Sequence, residues 1–262
     1  MLGTRIRTSL GAVALLLVAA TAACGTTAPV TSIGQDPPAL KVGADIPYVP
    51  FAFGDGPDYK GMDMDLVREI GRRLGRRVEI QKTPFDTIVR DVAQGRFDMI
   101  AASMVITEER KKVVDFSLPY FNSDQSIMVK KGSLITDAAG LTDKRIGVVL
   151  GGTGEKWAKA NVASVDLRTY DLVDDAFKGL AAGQLDAVIN DFPSSKFAER
   201  SYPTLEVAAT IQTGEYYGLA FKQGSPLRKE VDQALREMKA DGTFERIYRE
   251  WFQTAPPANL LS

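Results

Sequence analysis

Histidine is absent from the 262 residues of this chain. That removes Ser–His and Cys–His nucleophile pairs and every histidine-ligated zinc site from consideration. Cysteine occurs once, at Cys24, so no disulfide can close within the chain. An excess of either charge is missing too. With 32 basic residues against 33 acidic ones the formal net charge is −1, which leaves no electrostatic footprint for nucleic acid. The apolar run from Leu10 to Val18 is too short for a transmembrane helix, which takes about 20 residues. Two motifs with an enzymatic look also fail. Gly151 to Lys156, GGTGEK, lacks the Ser or Thr of a phosphate loop because Trp157 follows the lysine. The adjacent carboxylates Glu108 and Glu109 sit beside Arg110 and two lysines, which suits a solvated helix start rather than an acid–base pair. No catalytic residue, cofactor or metal is therefore expected.

What is present is the apolar and charged content of a soluble protein with a sizeable core, in a length that suits one large domain or two lobes. Residues 1–23 read as a targeting segment: Arg5 and Arg7 precede the apolar run, and small residues Ala19 to Ala23 follow it. Without those two arginines the chain has 30 basic against 33 acidic residues, about −3. The sequence Thr21-Ala22-Ala23-Cys24 resembles a bacterial lipobox, with Thr21 where leucine is usual. The resemblance implies a signal peptide over 1–23 and a lipid on Cys24, although Cys24 can also be read as an incidental residue of a discarded leader. Residues 24–39 then combine the lipidated cysteine with a small, polar, proline-bearing tether.

An internal echo organises the rest. Leu40 to Asp45 and Lys144 to Val149 are two similar short strands. VAQGRFDMIAAS from Val92 and LAAGQLDAVIND from Leu180 are two copies of helix, glycine, strand, with Gly95 and Gly183 placed for left-handed helix ends. Leu66, Val67, Ile70 and Leu74 mark the apolar face of a helix opened by Asp63 or Asp65, and Phe85, Ile88, Val89 and Val92 mark another. Strands are predicted at Val78 to Ile80, Leu167 to Tyr170 and Gly218 to Phe221, and C-terminal helices at Pro226 to Asp241 and Gly242 to Phe252. Val231, Leu235, Met238, Phe244, Ile247 and Trp251 are their expected core faces. Alternating strand and helix predicts an α/β fold of parallel-type sheets with helices on both faces, in two lobes of similar plan.

In open α/β sheets ligands bind outside the carboxyl ends of the strands, so the residues after the echoed strands are the site candidates. They are Asp45, Tyr48, Phe51 and Phe53, then Ser103 to Arg110, then Gly151 to Thr153, then Asp191. Arg110 offers planar donors that match a carboxylate, though an arginine within EERKK also reads as a solvated surface charge. One lobe would supply a cation and the other an anion, so a zwitterion would bridge them and draw the lobes closed.

The run from Ile106 to Tyr120, ITEERKKVVDFSLPY, resembles the signature of the polar amino-acid-binding proteins of ABC importers, extracellular solute-binding protein family 3. VGADIPYVPFAF, GMDMDL, RIGVVLGGTGE and ADGTFERIYREWF extend the resemblance from about Leu40 to Phe252. It implies a two-lobed periplasmic-binding-protein fold of type II, each lobe a mixed sheet flanked by helices, with two hinge crossings. Residues 40–122 and 219–262 would form lobe 1 and residues 123–218 lobe 2. It further implies that Arg110 binds an α-carboxylate with N–H help from Gly152 and Thr153, and that Asp191 takes an α-ammonium. Tyr48 and Phe85 would sandwich the ligand, although Phe85 also reads as a helix-face core residue. Ser103, Met104 and Val105 would line the site, Val105 replacing a common hydroxyl residue, and Gly152 stands where a threonine is common. Asp45 would face the ligand side chain, or serve as a turn or cap aspartate. Asp45, Asp124 and Asp191 together favour a cationic ligand, with glutamine as the competitor. The expected partners are a small amino acid, an ABC permease and the membrane through Cys24, with the protein exported and monomeric. The alternatives are a cyclohexadienyl or arogenate dehydratase-like enzyme, and an amino-acid sensor for a membrane signalling partner.

Overall fold

The computed structural model describes residues 37–56 and 58–261. Residues 1–36, where the targeting segment, the lipidated Cys24 and most of the tether are expected, lie outside the described residues.

Two sheets of five strands are built on one plan. In the first, β1 (Leu40–Ala44) lies between β2 (Val78–Lys82) and β3 (Met99–Ile100), parallel to both. Parallel neighbours need crossovers, and α1 (Met62–Arg73) and α2 (Phe85–Ala93) provide them. In the second, β6 (Arg145–Val149) lies between β7 (Asp166–Tyr170) and β8 (Ala187–Asp191), again parallel, with α3 (Thr153–Asn161) and α4 (Val173–Ala181) as crossovers. The echo extends to the hydrogen bonds. Asp98 accepts from the Lys41 N–H at 2.8 Å, and Asp186 from the Arg145 N–H at 2.9 Å. Gly95 and Gly183 carry φ of 79° and 78° after α2 and α4, the left-handed conformation that glycine adopts without a Cβ penalty.

The sheets are mixed, not purely parallel. β4 (Val114–Phe116) and β10 (Ala220–Lys222) complete the first sheet, with β10 antiparallel to β3 and β4. β5 (Phe121–Lys130) and β9 (Leu205–Tyr217) complete the second, with β5 antiparallel to β8 and β9. These two long strands carried no clean alternation in sequence, because β9 is partly exposed along most of its length. β5 starts and β9 ends at the paired residues Phe121 and Tyr217, so the chain passes between the two sheets side by side at this point. Phe121 stacks on Tyr217 and meets Phe51, Tyr248 and Phe252, an apolar hub at the base of both crossings.

Each sheet is covered on both faces. One face of the first sheet packs against α1, α6 (Leu227–Ala240) and α7 (Thr243–Phe252) through Ile70, Val231, Leu235, Phe244 and Ile247. Its other face packs against Ile88 and Val92 of α2. Trp251 stays partly buried, and its indole N–H donates to Asp65 at 2.8 Å. On the second sheet, Ala158 of α3 covers one face and Phe177 and Leu180 of α4 the other, while α5 (Phe192–Ala198) follows β8. Placing β1, β3, β6 and β8 at the sheet centres brings their carboxyl ends together across a cleft between the two halves.

Candidate ligand-binding site

A cavity occupies that cleft, and both halves wall it. From the first half come Asp45 at the end of β1, Tyr48 in the loop after it, Phe85 at the start of α2, Ala102, Ser103 and Val105 after β3, and Arg110. Gln125 of β5, Val149 to Thr153 around the start of α3, Gly154, and Ile189 to Asp191 of β8 close it from the second half, with Leu150 and Gly151 outside the wall. Of the residues expected from sequence, Phe51, Phe53, Met104, the stretch from Ile106 to Glu109 and Gly151 are not in the cavity wall. The fully buried side chain of Met104 packs with Ile88, Val92 and Phe116 in the core instead.

Arg110 opens a short 3-10 turn in which its N–H donates to Thr107 Oγ1 at 3.2 Å. The guanidinium donates to the Val105 carbonyl at 2.8 Å and, across the cleft, to the Gly151 carbonyl at 3.1 Å, and it lies 5.4 Å from the Phe85 ring centroid. Among the described residues it forms no ion pair, so a half-buried cation lines the cavity with only neutral oxygens as hydrogen-bond partners. Burial pulls its pKa down, against the pull of Asp191 and Glu215.

Ser103 has a left-handed backbone, φ 46°, held by a carboxylate that sequence patterning had placed at a helix start. Asp63 lies in the first turn of α1 but caps nothing there. It accepts from the Ser103 N–H at 2.7 Å and from the Tyr120 hydroxyl at 2.8 Å. Burial pushes its pKa up to about 6, against those hydrogen bonds.

Asp191 ends β8. It accepts from the Tyr48 hydroxyl at 2.8 Å across the cleft, from the Tyr217 hydroxyl, and from the Gln125 amide. These are neutral donors, so its charge is oriented but not cancelled. Its pKa is raised by burial, and the hydrogen bonds and Arg110 oppose the rise. Asp45 is pushed up to about 7 by burial, with Lys82 pulling down and Asp86 pushing up.

Helix α3 starts at Thr153, so its first N–H groups have no acceptor within the helix, and Gly152, Thr153 and Gly154 line the cavity there. Glu155 reaches back to the Gly151 N–H at 2.7 Å, which fixes the turn. Val105 brings only backbone, and bridges to Tyr217. Asp124, expected to add negative charge, is instead at a bulge of β5 outside the cavity wall, accepting from the Gly214 N–H at 2.8 Å.

Sequence reasoning missed Gln125, Asn190 and Gly154 in the wall, and Glu215 and Tyr217 behind it. Gln125 meets Asp191 only through the register of β5 with β8, which no local motif encodes.

Residues 40–254 match the family model for bacterial extracellular solute-binding proteins, family 3. The chain belongs to that family. Within family 3 it is 33% identical to the L-cystine-binding protein TcyJ of Escherichia coli (strain K12), an alignment that covers 81% of this chain and 82% of that protein. It is 31% identical to the ABC transporter glutamine-binding protein GlnH of Bacillus subtilis (strain 168), over 76% of this chain and 75% of that one. A solved structure of an ancestral arginine-binding protein bound to arginine aligns with a TM-score of 0.78 and 38% identity, over 83% of this chain and all of that one. The two-lobed fold expected from the resemblance is the fold observed.

Proposed function

We propose that this family 3 protein is the substrate-binding subunit of an ABC amino-acid importer, and that it captures a polar L-α-amino acid between its two halves. The observation that carries the reading is the pairing in one cavity of Arg110 from the first half with Asp191 from the second, each held by neutral partners. A zwitterion satisfies both. Its carboxylate would take the guanidinium of Arg110 and the N–H groups at Thr153, and its ammonium would take Asp191, with Tyr48 and Phe85 against its body. A ligand that touches both halves favours the closed arrangement by its differential affinity for it. The three relatives above bind cystine, glutamine and arginine, which supports the α-amino-acid class.

A cationic side chain is the preferred extension, with glutamine-like ligands next. Asp45 lies in the cavity wall, and an ionised Asp45 would pair with such a side chain. We further propose lobes of residues 40–122 with 219–262 and of 123–218, a monomer held to the outer face of the membrane by a lipid on Cys24, and a non-catalytic role.

Thermal unfolding of residues 25–262 against L-arginine, L-lysine, L-histidine, L-glutamine, L-cystine, arogenate and prephenate tests the reading. Binding to the folded state alone raises the midpoint by mass action. A shift with one amino-acid class and no turnover of arogenate or prephenate is the expected result. Turnover would move the protein to the dehydratase class, and the absence of any shift would end the amino-acid reading.

A further inference from the structure

Gln125 is fully buried and joins three cavity-side oxygens. Its Nε2 lies 2.5 Å from Asp191 Oδ1, 2.8 Å from Glu215 Oε2 and 3.1 Å from Thr153 Oγ1. An amide nitrogen has two hydrogens, and a hydroxyl can donate elsewhere, so the two carboxylates take both. Among the described residues the amide oxygen has no hydrogen-bond partner. Turning the amide over would aim that oxygen at two carboxylates, so the orientation is imposed by Asp191 and Glu215 even though it leaves an acceptor unpaired. Room for that oxygen comes from Gly154: a Cβ there would stand 2.8 Å from Gln125 Oε1 and 3.0 Å from the Ile189 carbonyl.

Gln125 and the two carboxylates come from three strands. Gln125 is on β5 directly opposite Asp191 on β8, and Glu215 is on β9, two residues before Tyr217, which also donates to Asp191. β5 and β9 are the two strands that run between the halves, and the β5 pairing with β9 shifts register between Ser123 and Gln125. We propose that Gln125 is a positioning residue for ligand binding: Glu215 on the neighbouring crossing strand holds its amide, and the amide aims and isolates the Asp191 carboxylate. The inference rests on the reading of Asp191 as the ammonium site. Its chemical consequence is selectivity for a free α-ammonium. The Asp191 oxygen held by Gln125 has a fixed direction, and the same amide holds the Glu215 carboxylate.

The test is calorimetric binding of L-arginine, L-lysine, L-glutamine and L-cystine to the full chain and its variants, using whichever probe binds the unmodified protein. Gln125→Met keeps length and removes the amide. It is expected to weaken binding at least tenfold, and to have little further effect in an Asp191→Asn background, because it acts through Asp191. Glu215→Gln can still accept from the amide and is expected to weaken binding about threefold to tenfold. Gly154→Ala, which crowds Oε1 without touching either carboxylate, should weaken binding as well and keeps the test open if Gln125→Met fails to fold. If Asp191→Asn weakens binding and Gln125→Met does not, or if the two effects add, the positioning role is overturned while the ammonium site stands. If Asp191→Asn leaves affinity unchanged, or no probe binds the unmodified chain, the reading of Asp191 falls and this inference with it.

Discussion

The two halves repeat one plan and deliver opposite charges to the same place in it. After β3 the first half turns through Ser103 and reaches the cleft with a cation, Arg110. After β8 the second half ends directly in an anion, Asp191. The bracing differs in kind. Arg110 is held by two carbonyl oxygens, one from each half, whereas Asp191 is held by three side chains, Tyr48, Tyr217 and Gln125. Both sets of braces are neutral. A counter-charge at this distance would cancel the group, so neutral bracing leaves both charges open, as the proposed zwitterion site requires. The first half does own a buried carboxylate, Asp63, but uses it behind the wall to hold the left-handed Ser103. The sheet topology thus decides where the charges go, and the side chains around each strand end decide which charge stays open.

The largest expected effect breaks the more heavily braced end. Asp191→Asn should reduce amino-acid affinity by about 2–5 kcal/mol, the range for removing one partner of a desolvated charge pair. Calorimetric titration measures it, and a change under about 1 kcal/mol would remove Asp191 from the ligand. Arg110→Ala should weaken binding within the same range of about 2–5 kcal/mol while the ligand-free melting point barely moves, because its present partners are two carbonyls. A large loss of ligand-free stability would instead make Arg110 a structural strut between the halves.

The buried carboxyls sharpen the comparison through pH. Asp45 and Asp63 hold their protons up to about 7 and about 6 in the folded chain. An unfolded aspartate releases its proton near pH 4, at about 3.9. Between these limits the folded chain binds more protons, so this contribution to stability is full below about pH 4 and is lost as pH rises to about 7. The ligand-free midpoint of the Asp45→Asn, Asp63→Asn double variant should therefore fall less than that of the parent from pH 5 to pH 8. If Asp45 meets a ligand cation, binding of lysine or arginine should strengthen over the same interval as Asp45 ionises, and binding of glutamine should not. The smallest effect belongs to the exposed pair Lys156–Glu109, 2.5 Å apart across the mouth of the cleft. Glu109→Gln should change affinity by no more than about threefold, and only at low salt, because exposed pairs contribute little. A larger change would make this pair a latch.

Much of the plan was legible in the residues. The repeated helix, glycine and strand segments placed β3 and β8, and Gly95 and Gly183 have the backbone that their positions required. Asp45, Tyr48, Ser103, Arg110 and Thr153 all follow strands whose ends meet in the cleft. Met104 packs into the core and not into the cavity wall, a distinction between neighbouring positions that no local motif marks. Asp63 was read as a helix-start aspartate because its type and position suit one, yet its oxygens turn to Ser103 and Tyr120.

The linear order of residues was enough for the family and the duplicated α/β plan, because each is written in local periodicity or in a continuous motif. Tertiary structure alone decided how Arg110 and Asp191 are held. Gln125, Asp191 and Glu215 sit on three different strands, and their meeting depends on strand register, on a bulge in β5 and on the missing Cβ of Gly154. None of these leaves a local signature, since each arises from how distant segments pack.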